Sequence, residues 1–290
     1  QVRHAGTTRA VVDAVHAAAR AGLRIRVAGS GHSFTPLVAT DGMLLRVDGL
    51  SGVIGVDRER NRVRVLAGTP LHVLNPALQR LGLALPNLGD IDRQTISGAI
   101  ATGTHGTGTR RQGIAAAVTG LTLVLADGST LECSRDVQPD VFAAAAVGLG
   151  ALGVVTEVEL ACVPAYRLHA KESSEALSDL LPRLQAEADT HDHLDLHWFP
   201  HTDRVLVKRN DVVGPQQGPP PLAPWRARLD DDLLANRVFE VINRGAAALP
   251  ASVPVINRAT ARVLGAREFA DDSWKVFCSS REVRFVESEY

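Results

Sequence analysis

The amino-acid sequence predicts an α+β fold, because helical and extended segments follow one another without the regular βαβ rhythm of a parallel α/β sheet. Alternating apolar residues at 53–57 and 63–67 flank a polar turn and predict a β-hairpin. The dipeptide Asp127-Gly128 separates two further apolar runs, 121–125 and 130–133, and predicts a second hairpin. Capped helices lie between these strands, which completes the α+β pattern.

The first element is a helix that Thr7 or Thr8 can cap and that Gly22 ends. Its apolar face carries valines and alanines, namely Val11, Val12, Val15, Ala18 and Ala19. Strands are predicted after it, at 24–28 and 43–47.

A second helix is predicted with Thr69 as its cap, Pro70 at its first position and Gly82 at its end. After the second hairpin, Pro139 opens a short alanine-rich helix, and residues 153–163 return as a strand.

Composition changes after about Pro164, so we expect one domain to end there and a second to follow. The amphipathic stretch 175–188 predicts a helix, and the proline- and glycine-rich stretch 214–224 predicts a loop. The other predicted elements are strands at 195–199 and 205–208, helices at 233–248 and 255–264, and extended segments at 274–278 and 283–286.

Composition also limits the function classes. The net charge of −1 argues against a nucleic-acid partner and against binding to an anionic membrane surface. No uninterrupted apolar run approaches ~20 residues, so no transmembrane helix is expected. Cys133, Cys162 and Cys278 match neither a zinc spacing nor a disulfide framework, which predicts a reducing compartment. The first residues lack the apolar core of a signal peptide, and a cytoplasmic location is expected.

The most informative stretch is a glycine turn after the strand 24–28, which reads Ala28-Gly29-Ser30-Gly31-His32-Ser33. Two glycines around a serine leave backbone N–H groups uncovered, and such a turn can wrap a pyrophosphate. A histidine follows directly, which suits an enzyme that ties a flavin covalently through an imidazole. A Gly-x-Gly turn alone also fits an ordinary strand-to-loop connection.

A second glycine-rich run spans residues 97–108. Its small residues either permit tight packing or let the backbone approach a flavin ring and diphosphate, with hydroxyl groups donating to phosphate oxygens. The candidate contacts in this run are Thr102, Gly103, Thr104, His105 and Gly108.

In this order and at this distance, the two runs resemble those of FAD-linked sugar oxidoreductases of the vanillyl-alcohol oxidase family, which have a PCMH-type FAD-binding domain. Within the family the chain is most similar to L-gulono- and D-arabinono-1,4-lactone oxidases and dehydrogenases, followed by alditol oxidases. The resemblance implies an FAD-binding domain of two α/β subdomains over residues 1–164. It also implies a substrate (cap) domain over 165–290, with a mixed or antiparallel sheet and flanking helices, that is incomplete at its C-terminal end.

FAD is the cofactor that the resemblance implies, and His32 is the residue expected to carry it through an 8α-histidyl bond. Thr95 is expected to pass near the flavin and to face the substrate, whereas Asp90 and Asp92 are interpreted as caps of local turns. The expected cofactor contacts are Ala28, Gly29, Ser30, Gly31, His32, Ser33, Thr95, Thr102, Gly103, Thr104, His105, Gly108, Gly150, Gly153, Val154 and Val155.

The stretch 148–153 matches the dinucleotide fingerprint Gly-x-Gly-x-x-Gly but stands in the wrong context. That fingerprint follows a strand and opens a helix, whereas here a helix is predicted before it and a strand after it. A nicotinamide enzyme is therefore not expected. The resemblance implies instead that this turn lays its backbone, with Val154 or Val155, against the flavin.

Two further clusters are interpreted as structural. The histidines match no standard metal site, so no metal is expected, although His201 is a candidate to reach toward the active site; the run comprises His191, His193, His197 and His201. Glu282 and Arg284 are interpreted as a surface or packing pair, because the family's Glu-x-Arg substrate pair lies further along. The catalytic residues are unknown in this sequence and are expected beyond Tyr290.

The expected function is FAD-dependent oxidation of a CH–OH group of a sugar-derived lactone, with hydride transfer to flavin N5. The partners would be a polyol or sugar lactone and oxygen or another electron acceptor. Three alternatives stay open: an alditol oxidase for xylitol- or sorbitol-type substrates, a flavin-binding fragment without catalysis, and an interaction domain without a cofactor.

Overall fold

The structure of the protein is a computed structural model that describes residues 1–33, 35–223, 225, 239–263 and 265–278. The strands in these residues are β1 (Val2–His4), β2 (Ile25–Ala28), β3 (Met43–Arg46), β4 (Val53–Asp57), β5 (Arg62–Leu66), β6 (Leu83–Ala84), β7 (Val118–Val124), β8 (Thr130–Ser134), β9 (Val154–Ala161), β10 (Val163–Pro164), β11 (Arg167–Ala176), β12 (His193–Trp198), β13 (Arg204–Val213) and β14 (Arg267–Asp272). The helices are α1 (Thr8–Arg20), α2 (Leu71–Arg80), α3 (Ile96–Ala101), α4 (Pro139–Ala145), α5 (Leu177–Leu180), α6 (Leu184–Thr190), α7 (Phe239–Ala248), α8 (Val253–Val263) and α9 (Ser273–Phe277).

A parallel sheet in the order β1-β3-β2 organises the N-terminal lobe. The apolar side of α1 packs against the buried Leu45 of β3. The helix begins as predicted, because Oγ1 of Thr7 accepts a hydrogen bond from the N–H of Ala10. Gly22 follows the helix with a φ of +64°, a left-handed conformation that glycine adopts without strain.

The next sheet is antiparallel, in the order β4-β5-β9-β7-β8. Both predicted hairpins, β4–β5 and β7–β8, are confirmed. The sheet packs against α2 and α3, where Leu71, Leu74 and Ile100 are buried together with Val158. Val154 belongs instead to the core beneath α1, so β9 contributes to both cores.

The cap of α2 differs from the prediction, because Pro70 and not Thr69 is the N-cap. The hydroxyl of Thr69 is already engaged: it donates to the carbonyl of Leu66 and accepts from the N–H of Gly52. The first N–H groups of the helix bond to carbonyl groups in the segment 92–94. Tertiary contacts therefore satisfy this helix end in place of a side-chain cap.

A four-stranded antiparallel sheet in the order β12-β13-β11-β14 forms most of the remaining structure, and we call it the cap sheet. The predicted strands at 195–199 and 205–208 are present as β12 and β13. The sequence does not predict β11. Its buried positions pass from Leu168 and Ala170 to Glu172, so a charged residue ends the apolar alternation after two residues.

The helix predicted at 175–188 is wrong as a single element. Its first two residues end β11, and the rest is divided between the short helices α5 and α6. Pro182 lies between these helices and has no N–H to continue the hydrogen-bond ladder.

The extended segment predicted at 274–278 is also wrong, because α9 occupies most of it. The adjacent side chains of Val276 and Phe277 are both buried. A strand would send neighbouring side chains to opposite faces, whereas a helical turn packed in a corner buries both. Lys275 further supports the turn by pairing with Asp272 over 2.8 Å.

The helices predicted at 233–248 and 255–264 are present as α7 and α8 in their described parts. Residues 233–238 and Leu264 lie outside the described residues, as does the extended segment at 283–286 with Glu282 and Arg284. Within the described ranges, no helix has the length and apolar character needed to cross a bilayer.

An ion cluster joins the cap sheet to α6. Arg209 is buried on β13, where its Nε donates to Glu187 over 2.6 Å and its guanidinium donates to Glu175 over 2.8 Å. Burial raises the pKa of Glu175, but hydrogen bonds from Arg209 and Ser173 more than reverse this effect, so that the pKa falls to about 2. The folded state therefore favours the ionised carboxylate.

We expect Glu175→Gln to lower the free energy of unfolding at pH 7 and to flatten its dependence on pH. A depressed folded pKa gives stability that is complete above the unfolded value of 4.5 and is lost as the pH falls toward about 2. The effect is at most about 3 kcal/mol, and partial solvent exposure reduces it. Urea unfolding across this pH range measures it, with Glu240→Gln on α7 as the control, and a wild-type pH slope in Glu175→Gln would contradict the prediction.

Candidate functional site

A cleft opens where the C-terminal end of β2, the start of α3 and the turn between α4 and β9 meet. Its walls come from three segments that are distant in sequence, within 25–38, 94–102 and 145–155. The cleft is open to solvent along part of its length.

Gly29 and Thr95 bring the first two walls together. A Cβ atom on Gly29 would lie 2.1 Å from Oγ1 of Thr95 and 3.2 Å from its Cβ, which side-chain rotation does not move, so the backbone would have to shift. The N–H of Thr95 donates to Oγ of Ser30 over 3.1 Å. Oγ1 of Thr95 also caps α3 by accepting from the N–H of Gly98. One threonine thus fixes both the glycine turn and the helix start.

The third wall is the turn 148–153. It follows α4 and precedes β9, which confirms the predicted order and excludes the context of the dinucleotide fingerprint. Gly150 has a φ of +73°, and a Cβ there would meet no atom within 4 Å, so the backbone of this glycine borders open space. Gly153, in contrast, has no free space beside it, because a Cβ there would lie 2.7 Å from the carbonyl oxygen of Val124.

The chemistry of the lining fits a dinucleotide with flat ring systems. Glycine backbone lies along both turns, and hydroxyl groups lie on the first turn and on α3, which suits a diphosphate. Aliphatic side chains form much of the rest and suit ring faces. The hydroxyl-bearing lining residues are Ser30, Ser33, Thr35, Thr95, Ser97 and Thr102, and the larger aliphatic ones are Ile25, Val27, Leu37, Val38, Ile100, Leu123, Leu149, Leu152 and Val155.

His32 lines the cleft and is half-buried. Asp92 lies close enough to interact electrostatically with it: burial raises the pKa of Asp92, while the positive charges of Arg93, His72 and His32 oppose the increase. Oδ1 of Asp92 accepts no hydrogen bond from any described residue. The interpretation of Asp92 as the cap of a local turn stays a prediction.

The cleft brings together most of the expected cofactor contacts. The lining includes Ala28, Gly29, Ser30, Gly31, His32, Ser33, Thr95, Thr102, Gly150, Gly153 and Val155. Five expected contacts do not line it, namely Gly103, Thr104, His105, Gly108 and Val154.

The second glycine run leaves the cleft after α3 ends. Oγ1 of Thr104 accepts from the side-chain amide of Gln94, and His105 is exposed. A Cβ on Gly108 would lie 2.4 Å from the carbonyl oxygen of Asp192, so this glycine allows close contact with the cap sheet. The end of this glycine run, at Gly108, therefore packs against the segment that leads into β12 of the cap sheet.

Several residues line the cleft that the sequence does not predict as cofactor contacts. Ile25 and Val27 belong to β2, and their alternate spacing was a usable signal for a shared apolar side. Ser97 and Gly98 belong to α3, and the sequence does not predict this helix because glycine-rich runs are not typical of helices. Only the cap residue Thr95 marks the start of that helix in the sequence.

The histidine run lies in and near β12, as the extended interpretation predicts. Nδ1 of His191 lies 2.8 Å from Asp211, and Nε2 of His197 lies 3.5 Å from Asp195. His201 is exposed in a turn and does not line the cleft. Among the described residues, no group of three or more ligating side chains is arranged to hold a metal ion.

Comparison with known protein families agrees with this geometry. Residues 1–134 match the FAD binding domain, and residues 158–290 match the family described as D-arabinono-1,4-lactone oxidase. The chain thus matches an FAD binding domain in its first half and a lactone oxidase domain in its second half. The FAD-binding assignment from the glycine runs is thereby confirmed at the level of the domain.

Curated relatives carry lactone-related names. The chain is 37% identical over 280 residues to L-gulono-1,4-lactone dehydrogenase of Mycobacterium tuberculosis, a match that covers 97% of this chain and 64% of the relative. It is 40% identical over 184 residues to L-gulonolactone oxidase of Scyliorhinus torazame, covering 63% of this chain and 42% of the relative. The chain therefore spans less than two thirds of the length of these relatives.

Solved structures share the fold. Cholesterol oxidase from B. sterolicum superposes with a TM-score of 0.81 at 20% identity, over 97% of this chain and 58% of that one. For 6-hydroxy-D-nicotine oxidase from Arthrobacter nicotinovorans, the TM-score is 0.62 at 25% identity, over 74% of this chain and 50% of that one. The predicted α+β fold of the PCMH type is confirmed.

We expect Gly29→Ala to destabilise the fold by about 1–3 kcal/mol, the usual cost of overpacking a tight contact. It should also lower the fraction of purified protein that carries flavin, because the first glycine turn must move away from Thr95. Urea unfolding and the ratio of flavin to protein absorbance measure the two effects.

The matched control is Gly55→Ala on β4, where a new Cβ would lie 3.6 Å from Cβ of Arg64 in ordinary contact. If Gly29→Ala and Gly55→Ala had the same stability and the same flavin content, the close approach at Thr95 would not be a constraint.

Proposed function

We propose that this chain binds FAD and oxidises a CH–OH group of an aldonolactone such as L-gulono- or D-arabinono-1,4-lactone. The observation that carries the proposal is the cleft in which two glycine turns converge with His32, within a chain that combines an FAD binding domain and a lactone oxidase domain. Bound FAD would supply the hydride acceptor. The electron acceptor that follows is oxygen or another oxidant.

The residues of the chain position the cofactor. In the proposal, the turn from Gly29 to Ser33 and the hydroxyl of Thr102 contact the diphosphate, and Gly150 offers its open backbone to the ring system. Val155 and Ile100 contribute apolar contacts that exclude water from the ring faces. Thr95 stabilises the first glycine turn and the start of α3 from its buried position.

We further propose that His32 carries the flavin covalently. It is half-buried, lines the cleft and follows the glycine turn directly, so its ring is held at one edge of the proposed flavin site. A neutral imidazole nitrogen is the nucleophile that such a bond requires. The relatives' names do not state the linkage, so the proposal depends on the position of this histidine.

Two further expectations belong to the same proposal. We place the boundary between the FAD-binding and substrate domains at residues 164 and 165, because β9 belongs to the five-stranded sheet and β11 begins the cap sheet at Arg167. Cys133, Cys162 and Cys278 are free thiols, which supports the expectation of a reducing compartment.

We expect the purified protein to keep its yellow colour after acid precipitation, with the flavin on the tryptic peptide that contains His32. His32→Ala should release all flavin on denaturation, because no other nucleophile is assigned to the linkage. Mass spectrometry of the peptides measures the attachment. His4→Ala, at an exposed position on β1, should remain fully flavinylated, and complete release of flavin from the wild-type protein would show non-covalent binding.

We expect the flavin-loaded chain to reduce a redox dye with L-gulono-1,4-lactone in preference to xylitol. Anaerobic bleaching of the flavin band by each compound measures the half-reaction without an electron acceptor. Preferential bleaching by xylitol would favour an alditol oxidase. A yellow protein that neither compound bleaches would favour a flavin-binding module without catalysis, and a colourless protein would contradict the proposal as a whole.

A further inference from the structure

One side of the cap sheet is turned toward the FAD-binding part and carries a line of polar residues. The register of β12 and β13 pairs His193 with Asn210 and Asp195 with Lys208, and directly opposed residues share one face of a sheet. Asn210 is also paired with Ala170 of β11, which is buried in the core that α2 and α3 share. This face therefore points at the FAD-binding part and not at solvent.

Two polar atoms on this face are buried without a partner. Asn210 is 5% exposed and His193 is 0% exposed, yet Oδ1 of the first and Nε2 of the second form no hydrogen bond within the described part of the chain. Buried polar groups are nearly always satisfied, so two neighbouring exceptions require an explanation. Their positions as register partners place them side by side.

Both atoms are hydrogen-bond acceptors. Nδ1 of His193 lies 2.9 Å from the carbonyl oxygen of Thr107, and a carbonyl can only accept, so Nδ1 carries the proton. Burial lowers the pKa of His193, which keeps the ring neutral and leaves Nε2 as an acceptor. Oδ1 is the carbonyl oxygen of the Asn210 amide and accepts as well.

Phe277 and Cys278 lie between this face of the cap sheet and the segment 89–92. The ring of Phe277 meets that of His193 edge-on at 4.7 Å, and Sγ of Cys278 lies 3.6 Å from the carbonyl oxygen of Gly89. Burial raises the pKa of Cys278, Asp92 and Asp90 raise it further, and the positive charge of Lys208 opposes them. All three charged groups thus lie near the same thiol.

Asp92 adds a third acceptor to the group. It is 7% exposed, and its Oδ1 forms an ion pair with Arg93 over 3.6 Å but no hydrogen bond among the residues that the structure describes. We call Asn210, His193 and Asp92 the acceptor strip. The strip runs from the cap sheet to the residue that interacts electrostatically with His32.

The cations beside the acceptor strip are already matched with carboxylates. Nζ of Lys208 lies 3.8 Å from Oδ2 of Asp195, and Nε of Arg93 lies 3.6 Å from Oδ1 of Asp92. A ligand carboxylate placed here would meet acceptor atoms and would compete with those pairs. Hydroxyl groups would instead donate to the acceptors.

We propose that the acceptor strip binds the hydroxyl groups of a neutral polyhydroxy lactone and discriminates against the open-chain aldonate anion. This inference rests on the proposed function and specifies its substrate class. It assigns the contact to Asn210, which lies on the face of the cap sheet turned toward the FAD-binding part, with His193 and Asp92 completing the set of acceptors.

The experiment uses the flavin-loaded full chain and measures binding separately from turnover. Saturation-transfer NMR with L-gulono-1,4-lactone and with L-gulonate reports binding, and anaerobic flavin bleaching reports oxidation. We expect the wild-type protein to bind the lactone and not the gulonate. Asn210→Leu should weaken lactone binding about tenfold, the usual cost of one lost buried hydrogen bond.

Asn257→Leu on α8 is the matched control, because its amide donates to the carbonyl of Pro200 in an exposed contact. It should bind the lactone like the wild type. If Asn210→Leu fails to fold with flavin, Asn210→Ala and Asn257→Ala repeat the comparison with smaller side chains.

Each outcome distinguishes the two hypotheses. Lactone binding that Asn210→Leu weakens, without oxidation by the wild type, would support the acceptor strip and contradict the proposed function. Oxidation and binding that are unchanged in Asn210→Leu would support the function and overturn the strip. Equal binding of gulonate and lactone, or binding of neither compound, would also overturn the strip.

Discussion

The close approach of Gly29 to Thr95 is the constraint on which the cleft depends. The first glycine turn can lie against the start of α3 only because position 29 has no side chain. Thr95 then acts at once as a packing partner, as a donor to Ser30 and as the cap of α3. The backbone of α3 is held in turn by the β5–α2 connection, since the N–H groups of Ile96 and Ser97 bond to carbonyls of Thr69 and Ala67. The parallel sheet and the five-stranded sheet are thereby locked together at the site.

Thr69 is not a helix cap because its polar groups are engaged in other tertiary contacts. Its hydroxyl is used between Leu66 and Gly52, and its carbonyl is used by α3. Local sequence rules assign a residue to one role, whereas the folded chain selects whichever partners are nearest. The first turn of α2 is satisfied by the segment that leads into α3, so α2 and α3 depend on each other.

Local signals in the sequence were sufficient for α1, for both hairpins and for the first glycine turn. Each of these depends on residues within a few positions, such as Thr7 at the start of α1 or Asp127-Gly128 at the second hairpin. The sequence was insufficient for β11, because Glu172 occupies a buried position and is stabilised there by Arg267, a partner 95 residues away. It was also insufficient for α9, where burial of both Val276 and Phe277 comes from tertiary packing.

The candidate site shows the same division between local and distant information. His32 and its turn were identified from adjacent residues, and they line the cleft. His105 and Gly108 were assigned to the cofactor because they continue a glycine-rich run, but the run passes on to the cap sheet once α3 has ended. A glycine-rich composition indicates close backbone approach but does not specify which surface approaches it.

The cap sheet is not an independent body. Leu168, Ala170 and Phe269 share the core of the FAD-binding part, and the hydroxyl of Tyr166 donates to the carbonyl of Pro86. Separation of the two parts would expose this shared core. The walls of the cleft also come from distant segments, near residues 30, 97 and 150, so the cleft exists only in the folded chain. A nucleotide that binds the assembled cleft and not the unfolded chain therefore stabilises the fold by mass action.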